Sequence, residues 1–230
     1  HHQSNRPGGN ESKAIVVWKD SPSAARIAYE LFHEVTDLSD LEDLLDWVDK
    51  LDSGSISHEE FLSHAPAIWL SRIVDSGEET AAWILEQLRA GATTEEILAD
   101  SKISKLVAEK QEELVNLNEV ILSSMRIEDR IAIVRLDGLG IRSNGYHVTA
   151  MAGDECDACM IIHGELGADF GDSRRYPVSA SFYTNSFLHR RGGIYDLTAL
   201  ATLFDSDGGG HANACGCRIK PIEDGNVVDR

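Results

Sequence analysis

Residues 204–216 read Phe-Asp-Ser-Asp-Gly-Gly-Gly-His-Ala-Asn-Ala-Cys-Gly, and this stretch concentrates the types that could meet a ligand. Gly208, Gly209 and Gly210 can take positive φ and leave bare backbone N–H groups open to close approach. His211 follows at once, and the run Ala212 to Gly216 is small enough for a tightly packed helical turn. Glycines alone are routine in turns. Three glycines, a histidine and a small-residue run, placed after the helical pattern of residues 195–201, are far more specific.

Other candidates are weaker on residue type alone. Asp49 and Asp52 stand i, i+3 on one face of a helical pattern, where they read first as surface carboxylates of an acidic helix. Arg174, Arg175, Arg190, Arg191 and Arg218, with Lys220, gather in the last quarter, and each pair reads as solvated loop residues or as anion contacts. Cys156 and Cys159 form a C-x₂-C, Cys215 and Cys217 a C-x-C. The second spacing is wrong for the usual zinc knuckle, so buried reduced thiols are expected. His33, His58, His64, His147, His163 and His189 show no ligand spacing and are read as incidental. Trp18, Trp47, Trp69 and Trp83 are read as core.

Helices must position the carboxylates. Ser21-Pro22 is expected to start the first, Ser39 to Glu42 to open a second as a capping box, and Ser57 to Glu60 and Thr93 to Glu96 to repeat the device. A short apolar run at 14–18 reads as a buried strand, and residues 102–125 as a long, mostly exposed helix bridging two lobes. Near Arg126 the period turns from helical to alternating. Strands are expected at 130–136, 158–163, 176–183 and 217–222, with a helix at 197–204 between the last two. The carboxy-terminal part is therefore α+β.

The 230 residues carry a net charge of −18, which argues against broad nonspecific polyanion binding. No apolar run approaches the ~18 residues that span a bilayer, and no signal-peptide pattern opens the chain, so a cytoplasmic protein is expected.

The glycine–histidine stretch resembles the GGGH signature of the second domain, DHHA1, of DHH-type phosphoesterases. His1-His2-Gln3-Ser4-Asn5 resembles the tail of the Asp-His-His motif that names the family, although His1-His2 also reads as the remnant of an affinity tag. The two signatures stand in the family's order and span nearly the whole chain. The resemblance implies an α/β fold: a partial DHH lobe of strand plus helices at 1–101, a connecting helix at 102–126, and a smaller α+β DHHA1 substrate-binding lobe at 127–230.

It further implies metal-dependent hydrolysis of small phosphorylated substrates, such as short oligonucleotides, phosphonucleotides or polyphosphate. Two Mn²⁺ or Mg²⁺ ions would make water nucleophilic and neutralise the phosphoryl oxygens. Of their ligands, the resemblance assigns His1 and Asp49, with Asp52 the runner-up, and it places His2 beside the reacting phosphate as a catalytic group. The Gly208–Gly210 amides would cradle a phosphate at a helix start, and His211 would face the substrate.

Two departures qualify this expectation. The histidine and aspartates that should precede the Asp-His-His motif are absent, so the chain reads as a fragment with an incomplete metal site. A non-catalytic phosphate- or nucleotide-binding module, or an interaction protein, is the alternative. Many members also carry an arginine between two serines on the central strand; here that place reads Ser179-Ala180-Ser181-Phe182, leaving Arg190, Arg191 or Arg218 to substitute. The expected partners are a small phosphorylated substrate or short single-stranded nucleic acid, and no membrane; a homodimer is left open.

Overall fold

The computed structural model describes residues 17–164, 178–189 and 193–219. They form a mixed α/β structure with a six-stranded sheet, and the chain divides into two compact units between Glu113 and Leu114.

The described part of the first unit is helical. It comprises α1 (Ala24–His33), α2 (Glu42–Ser53), α3 (His58–Leu62), α4 (Pro66–Ile73), α5 (Glu78–Arg89), α6 (Thr94–Ala99) and the opening turns of α7 (Ser101–Ser124). Local capping sets most of these boundaries. Ser57 and Thr93 form capping boxes with Glu60 and Glu96, as their spacing predicts. Two expected caps shift. Ser23, not Ser21, caps α1: its hydroxyl accepts from the Arg26 N–H and donates to Asp49 Oδ1 at 2.5 Å, a tertiary bond that fixes the start. Ser39 opens a 3-10 turn instead of a capping box, because Asp37 takes both its N–H and its hydroxyl.

The core of this unit gathers Leu70 and Ile73 from α4, Ile84 from α5, Ile97 from α6 and Ile103 from α7. Of the four tryptophans read as core, Trp69 is buried and Trp83 packs against this cluster, while Trp18 and Trp47 are half-buried. Of the strand expected at 14–18, residues 14–16 lie outside the described set. Val17 and Trp18 have irregular backbone.

The second unit takes the end of α7 and a sheet ordered β1-β2-β3-β4-β6-β5. The strands are β1 (Met125–Glu128), β2 (Ile131–Arg135), β3 (Ala158–Gly164), β4 (Val178–Thr184), β5 (Gly209–His211) and β6 (Ala214–Arg218), with α8 (Gly145–Ala152) after β2 and α9 (Thr198–Phe204) after β4. The β2–β3 pair is parallel and the others antiparallel. Burial alternates strictly along β4 and from Cys159 to Gly164 on β3, giving the sheet two working faces. On one, Ala132, Val134, Cys159 and Ile161 meet Ile121 of α7 and Val148 and Ala152 of α8. On the other, Ala180, Phe182, Cys215 and Cys217 lie under Leu197 and Ala201 of the α9 segment. All four cysteines are free and buried in these two clusters.

Two elements escape the sequence pattern. β1 is four residues long with a mostly exposed face, and its tight turn places Asp129 and Arg130 at φ 47 and 66 without glycine. α8 is apolar nearly all round, so it shows little helical period; Asn144 caps it by accepting from the Tyr146 and His147 N–H groups. Two expectations are corrected. The small-residue run after His211 is a β-hairpin, not a helical turn, because Gly209 to His211 pair with Ala214 to Gly216. The closing strand starts at Ala214, three residues before the expected Cys217, and residues 220–222 of that expectation lie outside the described set.

Candidate functional site

The triple glycine divides into two kinds of position. A Cβ on Gly208 would stand 2.6 Å from Ala201 O and 2.8 Å from Asp205 O, so this glycine lets the hairpin close on the end of α9. Gly210 has φ +139, and its Cβ would stand 2.6 Å from Ala214 O. Both are required by the fold itself. Gly209, in the middle, would meet nothing within 4 Å and has no positive φ. The positive φ expected of these glycines thus belongs to Gly210 alone, and the phosphate cradle expected at a helix start becomes a strand edge.

The register puts Gly209 opposite Gly216 and His211 opposite Ala214, all on the sheet face that carries α8. The same rows continue across β4, where Gly216 pairs with Ser181, Ala214 with Tyr183 and Arg218 with Ser179. They reach β3 at Ile161, Cys159 and His163. α8 packs on β2, β3 and the near side of β4. Gly145, its first residue, sits so close to the Tyr183 ring that a Cβ would collide with it. α9 packs on the opposite face of β5 and β6. The row of Gly216, Ala214 and Gly209, beside the half-buried Ser179, Ser181 and Tyr183 and ending at the exposed His211, is the candidate trough of this face.

Two further groups shape this face. His163 is 2% exposed, and its Nδ1 has no hydrogen-bond partner among the described residues. Burial, with Arg142 nearby, holds its pKa below the ordinary value and keeps the ring neutral at pH 7. The Tyr183 phenol is pushed up by burial, against the opposing effects of a Ser181 hydrogen bond and of Arg142. Arg142 is exposed, two residues before the α8 cap. Neither it, Tyr183 nor His163 stood among the expected site residues. The only sequence signal was a lone arginine between the turn glycines at 138 and 140 and the capping Asn144.

Arg218 is committed elsewhere. Its Nε and Nη2 stand 2.6 Å and 3.0 Å from the Asp205 carboxylate, and Nη2 is 2.7 Å from Asp207. Asp205 is 2% exposed and, held chiefly by the Arg218 hydrogen bond, ionises well below the usual carboxylate range. The pair braces the loop that leads into the glycines. Of the other expected arginines, Arg190 and Arg191 lie outside the described residues. His189, read as incidental, joins Arg130 on Asp157, with His189 Nε2 at 2.7 Å and the guanidinium bidentate at 2.7 Å.

The expected metal ligands are not assembled by the described residues. His1 and His2 lie outside them. Asp49, on α2, receives Ser23 on Oδ1 and Arg26 at 2.6 Å on Oδ2, and Arg26 also holds Asp46 at 2.6 Å. A guanidinium on the carboxylate opposes a second cation there. Asp52 is an exposed residue one turn on. No three His, Cys, Asp or Glu residues gather at one point among the described residues, so the set on view does not fit a two-metal centre.

No family model and no curated protein matches the sequence. In fold, the chain is similar to the pGpG-specific phosphodiesterase PggH from Vibrio cholerae. The TM-score is 0.67 at 20% identity, covering 91% of this chain and 71% of that one. That likeness is one of fold. An exopolyphosphatase-related protein from Bacteroides fragilis follows at a TM-score of 0.37 and 18% identity, over 78% of this chain and 52% of its own. No helix among the described residues is long and apolar enough to cross a membrane.

Proposed function

We propose that this chain is a phosphoesterase of the DHH type, acting on small phosphorylated substrates, and that the open trough of its second unit holds the phosphorylated group. The observation that carries the reading is Gly209. Its two neighbours are glycines because the fold needs them, whereas at 209 a side chain would point into open space on the face that bears His211. A glycine there serves a ligand that lies against the backbone. The likeness in fold to a phosphodiesterase that is specific for pGpG supports the reading and suggests a short phosphorylated dinucleotide as substrate.

Within the trough the chain's own groups bind and orient. His211 offers an imidazole N–H to a phosphoryl oxygen, and Ser179 and Ser181 offer hydroxyls. The sheet floor lets the substrate approach without a side chain beneath it. Mn²⁺ or Mg²⁺ ligation would fall to residues outside the described set.

A second reading, a nucleotide-binding module without hydrolysis, is favoured by the engagement of Asp49 with Arg26 and Ser23. One experiment separates the two: incubate the chain with pGpG and Mn²⁺, follow GMP release chromatographically, and titrate pGpG calorimetrically in parallel. Turnover supports the enzyme. Binding without turnover favours the module. Neither binding nor turnover overturns both.

A further inference from the structure

We propose that the outer edge of β1 is an interface for a second copy of this chain, the two β1 strands pairing antiparallel about a two-fold axis at Ile127. β1 ends the sheet order, and among the described residues it pairs with β2 alone. Arg126, Ile127 and Glu128 are all exposed. The other end of the order, β5, is three residues long and carries Gly210 at φ +139, which makes it the shorter and less regular edge.

The hairpin dictates what the β1 edge offers. Asp129 and Arg130 have φ 47 and 66, the signature of a two-residue type I′ turn, so Glu128 and Ile131 form its hydrogen-bonded closing pair. Pairs alternate from there, which makes Ile127 and Ala132 a non-hydrogen-bonded pair. The N–H and C=O of Ile127 therefore point away from β2. Against a second β1 they exchange two hydrogen bonds with the partner's Ile127. Arg130, bidentate on Asp157 at 2.7 Å, holds the turn in place.

Charge selects the occupant. Edge strands are commonly protected by charges that repel an incoming strand. Here the two charges are opposite in sign and stand two residues apart, on one face of the strand. In a two-fold antiparallel pair centred on Ile127, Arg126 falls opposite the partner's Glu128, and Glu128 opposite the partner's Arg126. The edge is thus complementary to itself, the condition that an isologous interface must meet. Within one copy the same two side chains lie 3.6 Å apart and are 65% and 61% exposed, a surface contact that is readily exchanged. Ile127 lies beside its counterpart in the pair and extends the row begun by the buried Ala132.

The test is sedimentation equilibrium of the full chain at about 0.15 M salt, where repulsion between copies of net charge −18 is screened beyond ~8 Å. A four-residue strand makes an interface at the small end of the range, so a dissociation constant of roughly 10–100 µM is expected. Arg126→Glu and Glu128→Arg should each weaken the dimer about tenfold or more, since each sets two like-charged pairs across the interface. Melting temperatures of the dilute, monomeric variants should stay unchanged, because both side chains are exposed. The double variant that exchanges the two charges should dimerise as the unmodified chain does. Mixed in equal amounts, the two single variants should form a heterodimer. An unmodified chain that stays monomeric at about 1 mM overturns the proposal. So does a single variant that dimerises undiminished, and so does a mixture that fails to regain the dimer.

Discussion

Gly209 and Gly210 differ by one position and by opposite physical demands, which makes them separable by mutation. Gly210→Ala forces a Cβ against Ala214 O at a φ of +139, and the hairpin should lose roughly 1–3 kcal/mol in a urea melt. Gly209→Ala should change stability by no more than about 0.5 kcal/mol, because its Cβ meets nothing, yet it should weaken nucleotide binding. Equal stability losses in the two variants would show that the fold claims both glycines. Arg218→Gln addresses the neighbouring brace: it strands the buried Asp205 carboxylate, and the cost should be about 3 kcal/mol. That is the lower end for a broken buried pair, because the guanidinium is itself 37% exposed. Asp205→Asn combined with Arg218→Gln should recover part of the loss; no recovery would mean the pair is not what Arg218 contributes.

At the scale of elements, capping and ion pairing make the helical unit sensitive to acid. Glu60 is held at about 2, first by the Lys50 hydrogen bond at 2.6 Å and then by the Ser57 N–H it accepts in the α3 capping box. Asp157 and Asp205 in the sheet unit are likewise held low by arginine partners. A carboxylate whose folded pKa lies below its unfolded one stabilises fully above the unfolded value, near 4, and loses that contribution as pH falls towards the folded value. Unfolding free energy should therefore hold steady from pH 7 to 5 and fall between pH 4 and 2. Glu60→Gln should make that fall shallower, and an unaltered acid limb would remove Glu60 from the account. Ser23→Ala should cost about 1–2 kcal/mol, since one hydroxyl both caps α1 and bonds Asp49 across to α2.

At the scale of the whole molecule, a net charge of −18 limits what the trough can hold. Long-range repulsion opposes a polyanion more strongly than a short ligand. Affinity for 5′-phosphorylated oligonucleotides should therefore not rise as the ligand lengthens beyond a few residues, as read by fluorescence anisotropy. A steady gain with length would mean a basic path lies elsewhere on the chain.

The sequence by itself determined what depends on neighbours in the chain. The capping boxes at Ser57 and Thr93, the period of α7, the strands β2, β3 and β4, and the special character of residues 208–211 all follow from local spacing. Tertiary structure decided the rest. Ser23 replaced Ser21 as a cap because Asp49 on another helix bonds it, and that same bond, with Arg26, engaged a carboxylate that the family resemblance offered as a metal ligand. Arg218 looked like a free cation until strand pairing set it beside Asp205. Gly145 carried no pattern at all, since only the seating of α8 sets it against the Tyr183 ring. Which glycine serves the fold and which leaves room for a ligand was equally hidden: three identical residues differ only in the backbone that each one meets.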